Sequence, residues 1–262
     1  MNVLITGAAK GLGLQTSKIF ANNNHHVIAC DIIQPKEYIN TNCFKCDITN
    51  VDQLNSLKNN LIEMGIKLDL IINFAGIFDI GSFVEKNVED IKKVIDINLL
   101  GVINVNNIFH SLLEPKGKVI IISSEVAPLD ALPFNGIYSV SKTALDSYSQ
   151  SLRQELNLIG QKVITIRPGA FNTDLANGSI LATEKLVNET IIYKTQSKKF
   201  LKIVKMFMGT PKDPIILAKL VYKVSLKKNP KYIYNKNRNF GLVLLNILPK
   251  RLQCFIIKRM LK

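Results

Sequence analysis

The first apolar run of the chain, Val3–Thr6, passes straight into Thr6-Gly7-Ala8-Ala9-Lys10-Gly11-Leu12-Gly13, and a helical pattern follows at once. A short buried strand that turns directly into a helix leaves few architectures open. Gly7 suits the tight turn, Gly11 lets backbone approach a ligand, and Gly13 lets the helix pack close to the strand. The free N–H groups and the dipole at the helix start then favour an anion such as a pyrophosphate. Three glycines alone are weak evidence, but between a first strand and a helix they are far stronger.

The rest of the chain repeats this alternation. Val27–Asp31, Leu68–Asn73, Val119–Ser123 and Val163–Arg167 read as further buried parallel strands. Asn42–Cys46 is a weaker strand, and Lys231–Tyr234 could be a last one. Val51–Met64, Val88–Leu113, Tyr138–Ile159 and Asp213–Leu226 carry helical spacing. The pattern predicts an α/β fold, a doubly wound parallel sheet of Rossmann type with helices on both faces. At 262 residues the chain can bury one large core. Ala170–Thr210 lacks a clear strand and reads as an inserted lobe, and no internal repeat or flexible linker divides the chain.

Composition excludes several classes. Nothing resembles a secretory leader, and no run approaches the ~18 apolar residues of a membrane span. The expectation is a cytoplasmic protein. Cys43 and Cys46 form a lone C-x-x-C before Asp47, with no second ligand pair for zinc and no helix start for a redox pair. Metal binding is not expected. Charge is uneven: Lys194–Lys262 holds eighteen basic residues against one acid, Asp213, whereas Met1–Tyr193 holds sixteen basic and nineteen acidic. The basicity of the last quarter suggests an anionic partner there.

Asp31 closes the second strand, eighteen residues after Gly13. A carboxylate there can accept both adenosine ribose hydroxyls and would repel a 2′-phosphate, which favours NAD over NADP. Lys10 in the glycine turn, and Lys36 nearby, argue the other way. Thr6-Gly7-x-x-x-Gly11-x-Gly13 resembles the glycine pattern of the short single-domain short-chain dehydrogenases/reductases. Further matches follow in order. Asp47-Ile48-Thr49 resembles that family's adenine-contacting aspartate, and Asn73-Phe74-Ala75-Gly76 its N-A-G turn, with Phe74 where asparagine is more usual. Asn98 resembles its helix asparagine, and Pro168-Gly169 with Thr173 its loop against the nicotinamide. The resemblance is firm over Asn2–Thr173 and looser beyond. It implies one catalytic unit over residues 1–262, with a substrate lobe at about 170–210 and a basic tail at about 238–262. A homo-oligomer is expected.

Tyr138-Ser-Val-Ser-Lys142 sets tyrosine and lysine on one helix face. Free tyrosine has a pKa near ~10, and a neighbouring ammonium is expected to lower it, so that Tyr138 can exchange a proton with a substrate oxygen. By the resemblance, Lys142 also holds the nicotinamide ribose. Ser123 and Ser124 end the fifth strand, where open α/β sheets bind ligands. The family's serine usually stands 13 residues before the tyrosine. That position is Glu125 here, and Ser124 stands 14 before. Ser124 is chosen, with one extra residue in the loop Val126–Asn135. Asn98 would hold a water relaying protons from Lys142. The expected function is hydride transfer between a nicotinamide cofactor and a hydrophobic alcohol or ketone. An epimerase or dehydratase of the extended branch, or a non-catalytic NAD-sensing regulator, are the alternatives.

The lobe supplies Phe171, Leu175, Ile180, Leu181, Leu186, Ile191 and Ile192 for an apolar pocket, unless these pack the lobe's own helices. After Pro249, Leu252, Phe255, Ile256 and Met260 fall on one helical face, with Lys250, Arg251, Lys258 and Lys262 largely elsewhere. Three fates suit such a tail: packing on the domain or another subunit, an anionic membrane surface, or an acidic protein. Nucleic acid is not expected, since no binding motif accompanies the charge.

Overall fold

A computed structural model describes residues 1–172, 174–207 and 212–262. Its centre is a seven-stranded sheet of β1 (Asn2–Thr6), β2 (His26–Asp31), β3 (Thr41–Lys45), β4 (Leu68–Asn73), β5 (Leu113–Ile122), β6 (Lys162–Pro168) and β7 (Ile233–Lys236). The order across the sheet is β3-β2-β1-β4-β5-β6-β7, and every neighbouring pair is parallel. Chain direction across the sheet reverses between β1 and β4. In register, Thr6 pairs with Cys30 on one side and Asn73 on the other. The carboxyl ends of the central strands therefore open into one crevice at the switch point, where such sheets bind ligands.

Alternation along the strands divides the core. Leu4, Ile28, Ile71, Val119 and Ile121 point to one face, covered by α2 (Val51–Glu63), α4 (Gly101–Phe109) and α5 (Gly136–Leu158). Val3, Ile5, Val27, Ile72 and Ile120 point to the other, covered by α1 (Gly11–Asn22) and α8 (Pro214–Ser225). Both faces of the sheet are apolar because both are covered.

Two stretches depart from the sequence expectation. The helical pattern of Val88–Leu113 is broken into α3 (Val88–Ile95), a π-turn at Asp96–Leu100, α4 and a short 3₁₀ turn at His110–Leu112. The widened turn carries Asn98, which is fully buried. Its amide accepts from the Ile77 N–H at 2.8 Å and donates to the Ile77 carbonyl at 2.9 Å and the Ser141 hydroxyl at 3.1 Å. Periodicity cannot register such a bulge, because the apolar face continues on both sides of it. The last strand lies two residues later than expected, at Ile233–Lys236, on the sheet edge where alternating exposure gives a weak apolar signal.

The lobe consists of α6 (Asp174–Glu189) and α7 (Lys194–Phe207), and the chain ends in α9 (Phe240–Ile247) and α10 (Lys250–Leu261). Ile80, Phe134, Leu186, Phe200 and Leu261 make a third apolar cluster that ties lobe and tail together, with Ile257 packed against it. Glu85 pins the α6–α7 link, accepting from the Thr190 hydroxyl at 2.6 Å and the Ile191 and Ile192 N–H groups at 2.8 and 2.9 Å. Among the described residues, no helix is long and apolar enough to cross a membrane.

Candidate active site

One cavity of about 1000 Å³ runs from the glycine turn to the tail helices. At its first end lie Gly7, Lys10, Gly11, Leu12 and Gly13, with Asp31, Asp47, Ile48, Ala75 and Gly76 beside them. Gly13 cannot be replaced without moving backbone: a Cβ there would stand 2.0 Å from the Gly7 carbonyl oxygen. No side chain caps the start of α1, and its first turn holds no acid. These N–H groups face the cavity as a site for a phosphate, so the residues present fit the pyrophosphate of a nicotinamide dinucleotide. Asp31 is held in place by the Ala9 N–H at 2.9 Å and the Ile33 N–H at 3.1 Å. Asp47 accepts from the Thr49 N–H at 2.9 Å and hydroxyl at 2.8 Å, which fixes its loop against the cavity.

Two of the expected cofactor contacts stand back from the cavity wall. Thr6 is buried, and its hydroxyl accepts from the Ala75 N–H at 3.4 Å. Asn73 turns away from the crevice, donating to Asn106 at 2.9 Å inside the core. Both brace the turns that do line the cavity. Thr173 and the side chain of Leu175 lie outside the described residues. Pro168 and Gly169 reach the wall as expected.

At mid-cavity Tyr138 and Lys142 project from the first turns of α5. The Tyr138 ring is buried against Phe78, with centroids 4.7 Å apart, and Ser124 lines the same stretch of cavity, where its side chain favours the ionised phenol. Ser123, by contrast, donates to the Lys142 backbone carbonyl at 3.4 Å. Both serines line the cavity, and the Ser124 hydroxyl accepts from the Val126 N–H at 3.4 Å. The Lys142 ammonium sits 5.9 Å from the centre of the Tyr138 ring and donates to the Ile122 carbonyl at 3.3 Å. Gly76 lies between Lys142 and Asn98: a Cβ on it would be 3.6 Å from the ammonium and 3.1 Å from the Asn98 oxygen.

The expected lowering of Tyr138 by Lys142 is not found. Burial dominates both groups. It pushes the Tyr138 phenol up to about 12, against the helping hydrogen bond from Ser124, and brings the Lys142 ammonium down to about 8. The ammonium points to a carbonyl and lies beside the ring, so it offers the phenolate little direct relief.

Sequence reasoning missed Glu125 as a structural part of this site. Its carboxylate accepts from the Asn239 N–H at 2.5 Å, and burial raises its pKa. The Gly169 N–H donates to the Lys236 carbonyl at 2.8 Å, and the Asn237 amide donates to the Ala170 carbonyl at 2.5 Å. Together these bonds fasten the segment after β7 across the catalytic loops. Glu125 standing at the spacing usual for serine was the signal available, but it carried no partner.

The far end of the cavity is apolar. Its walls are Phe78, Ile80, Phe200, Ile203, Val204, Leu242, Leu245, Ile257, Met260 and Leu261. An apolar pocket was expected from other residues. Of those in the lobe, Phe171 lines it and Leu186 is buried nearby, but Leu181, Ile191 and Ile192 face solvent. The expected apolar face of the tail is also rotated. Gln253, Ile257 and Leu261 pack inward and Met260 sits half-exposed at the chamber's rim, while Leu252 and Phe255 remain exposed. The thiols of Cys43 and Cys46 have separate partners: Cys43 donates to the Lys36 carbonyl at 3.4 Å and Cys46 to the Asp47 carbonyl at 3.9 Å, and all four cysteines are free. Among the described residues no group of side chains has the makings of a metal site.

The family described as short chain dehydrogenase matches residues 1–183. A 3-ketodihydrosphingosine reductase of Bacteroides thetaiotaomicron is 27% identical over 233 residues, covering 88% of this chain and 85% of that protein. An NADPH-dependent 1-acyldihydroxyacetone phosphate reductase of Schizosaccharomyces pombe is 29% identical over 208 residues, covering 76% of this chain and 70% of that one. Among solved structures, a short chain dehydrogenase family protein from Francisella tularensis superposes with a TM-score of 0.76 at 26% identity, covering 92% of this chain and 98% of that one.

Proposed function

The chain belongs to the short-chain dehydrogenase family of nicotinamide-dependent oxidoreductases, and on that premise we propose that it interconverts a hydrophobic alcohol and its ketone, with Tyr138 as the acid and base. The observation that carries this reading is the gathering of Ser124, Tyr138 and Lys142 on one cavity, set between a dinucleotide-shaped turn and an apolar chamber. A keto-compound reductase and an acyl-compound reductase among the relatives support it.

When bound, the cofactor supplies or accepts the hydride at the substrate carbon. The Ser124 hydroxyl donates to the carbonyl oxygen and fixes its position. Tyr138 gives its proton to that oxygen as negative charge develops there, and takes it back in the oxidative direction. Lys142 would hold the cofactor ribose, and Asn98, buried between Ile77 and Ser141, would relay the proton onward from Lys142. The cofactor would be NAD, because Asp31 would meet the adenosine ribose and no cation follows it before Lys36. Lys10, Thr173 and the Asn73 turn complete the cofactor site. The chain works as one unit with its lobe and tail.

Cofactor-coupled turnover across ketones of increasing apolar length tests the reading. Turnover should rise with apolar length for the wild type and vanish in Tyr138→Phe; a wild type inert on every carbonyl and alcohol while binding NAD would favour a regulator.

A further inference from the structure

The helix α9 is apolar on both sides. Gly241, Leu242 and Leu245 face the cavity. Phe240, Leu244 and Ile247, spaced four and three apart on the opposite stripe, are 71%, 50% and 74% exposed. A helix apolar all round is normally enclosed, and here one stripe has no cover among the described residues. The next helix is joined to it through Leu248-Pro249, and the Gln253 amide closes the corner by donating to the Leu248 carbonyl at 2.8 Å and the Asn246 carbonyl at 3.4 Å. α10 adds exposed Leu252 and Phe255 to this corner.

Charge selects what can cover it. On α10 the exposed residues beside Leu252 and Phe255 are Arg251, Lys258, Arg259 and Lys262, and neither tail helix contains an acid. α7, which packs on α10, adds exposed Lys198 and Lys202. Protruding aromatic and aliphatic side chains set among cations match the boundary of an anionic bilayer, where apolar tips enter the acyl region and cations meet lipid phosphates. An acidic protein would account for the cations but would leave Phe240 and Ile247 against polar surface.

We propose that the α9–α10 corner docks on an anionic membrane surface and that α9, with one face in lipid and the other on the cavity, forms the entrance for an apolar substrate. The entrance role rests on the function proposed above; the docking does not.

The test uses the full chain and two vesicle compositions, phosphatidylcholine alone and an equimolar mixture with phosphatidylglycerol. Wild type should pellet with the mixed vesicles at low salt and stay in solution with phosphatidylcholine alone. Arg251→Ala and Lys258→Ala should each weaken partitioning roughly fivefold. Leu244→Ser and Phe255→Ser should weaken it by about tenfold or more. These side chains are exposed, so circular dichroism should be unchanged. Absence of pelleting on mixed vesicles overturns the proposal, as does pelleting unaffected by the four substitutions. Sedimentation velocity covers the rival occupant: an oligomer that Leu244→Ser and Phe255→Ser dissociate, with no change in vesicle binding, would assign the face to a second copy and overturn the proposal. Turnover of a water-soluble ketone with NADH, measured without vesicles, keeps the two readings apart. Its absence beside intact vesicle binding would sink the function and leave the docking standing.

Discussion

Tyr138 owes its proposed role to one atom, its hydroxyl, since the ring packs on Phe78 whether or not the oxygen is present. Tyr138→Phe should therefore keep the fold and NAD affinity and lower turnover by roughly 100- to 10,000-fold, the usual worth of a positioned acid or base. Isothermal titration beside steady-state rates checks both halves. The serines give a sharper discrimination. Ser124→Ala removes the hydroxyl that favours ionisation of Tyr138 and should cost at least tenfold in kcat, whereas Ser123→Ala removes a bond to a backbone carbonyl and should cost much less. The reverse order would move the catalytic serine by one. At Asp31, substitution by alanine should weaken NAD and narrow or reverse the preference over NADP. A wild type that already prefers NADP would show that Lys10 outweighs the carboxylate. The pairing of Tyr138 with Lys142 was legible from four-residue spacing, but the sign of the tyrosine's shift was not. Spacing fixes which face two side chains share, and only burial decides how much charge each can carry there.

Among the elements, the segment from β7 to α9 depends on the close approach of Asn237 to Gly169. A Cβ on Gly169 would lie 1.9 Å from the Asn237 carbonyl oxygen, a backbone atom that cannot swing aside. Gly169→Ala should push this segment off the catalytic loops at a cost of about 1–3 kcal/mol, as overpacked sites usually do. Urea unfolding measures the cost, and a raised KM for apolar substrate with a smaller change in kcat would show that the chamber wall, not the proton chemistry, has moved. An unaltered midpoint would mean the contact is easily relieved. Strands β1, β2, β4, β5 and β6 were readable as apolar runs because the sheet buries both of their faces. The π-turn at Asn98 and the late start of β7 were not, because neither a bulge inside a continuous apolar face nor an edge strand changes the local pattern.

For the whole molecule, stability and pH are linked through Lys142. Burial lowers its folded value to about 8, below the ordinary lysine value of ~10.4. Between those values the unfolded chain binds the extra proton, so this group's contribution to stability rises with pH across that window. Tyr138, raised to about 12, acts in the opposite sense from its ordinary ~10 upward. In Lys142→Met the rise above pH 8 should disappear from thermal melts run across that range; a slope identical to wild type would show that Lys142 is not the group responsible. The sequence by itself determined the class of fold, a doubly wound parallel sheet, the turn with its glycines, the shared helix face of Tyr138 and Lys142 and the concentration of positive charge in the last quarter, because each is written in local runs and spacings. The tertiary structure alone decided that Glu125 fastens the chain after β7, that α7 of the lobe with α9 and α10, rather than Leu181, Ile191 and Ile192, walls the chamber, and that α10 turns Ile257 and Leu261 inward while Phe255 stays outside. Those outcomes depend on which of several equally apolar surfaces meet when distant segments pack, and no local spacing records that choice.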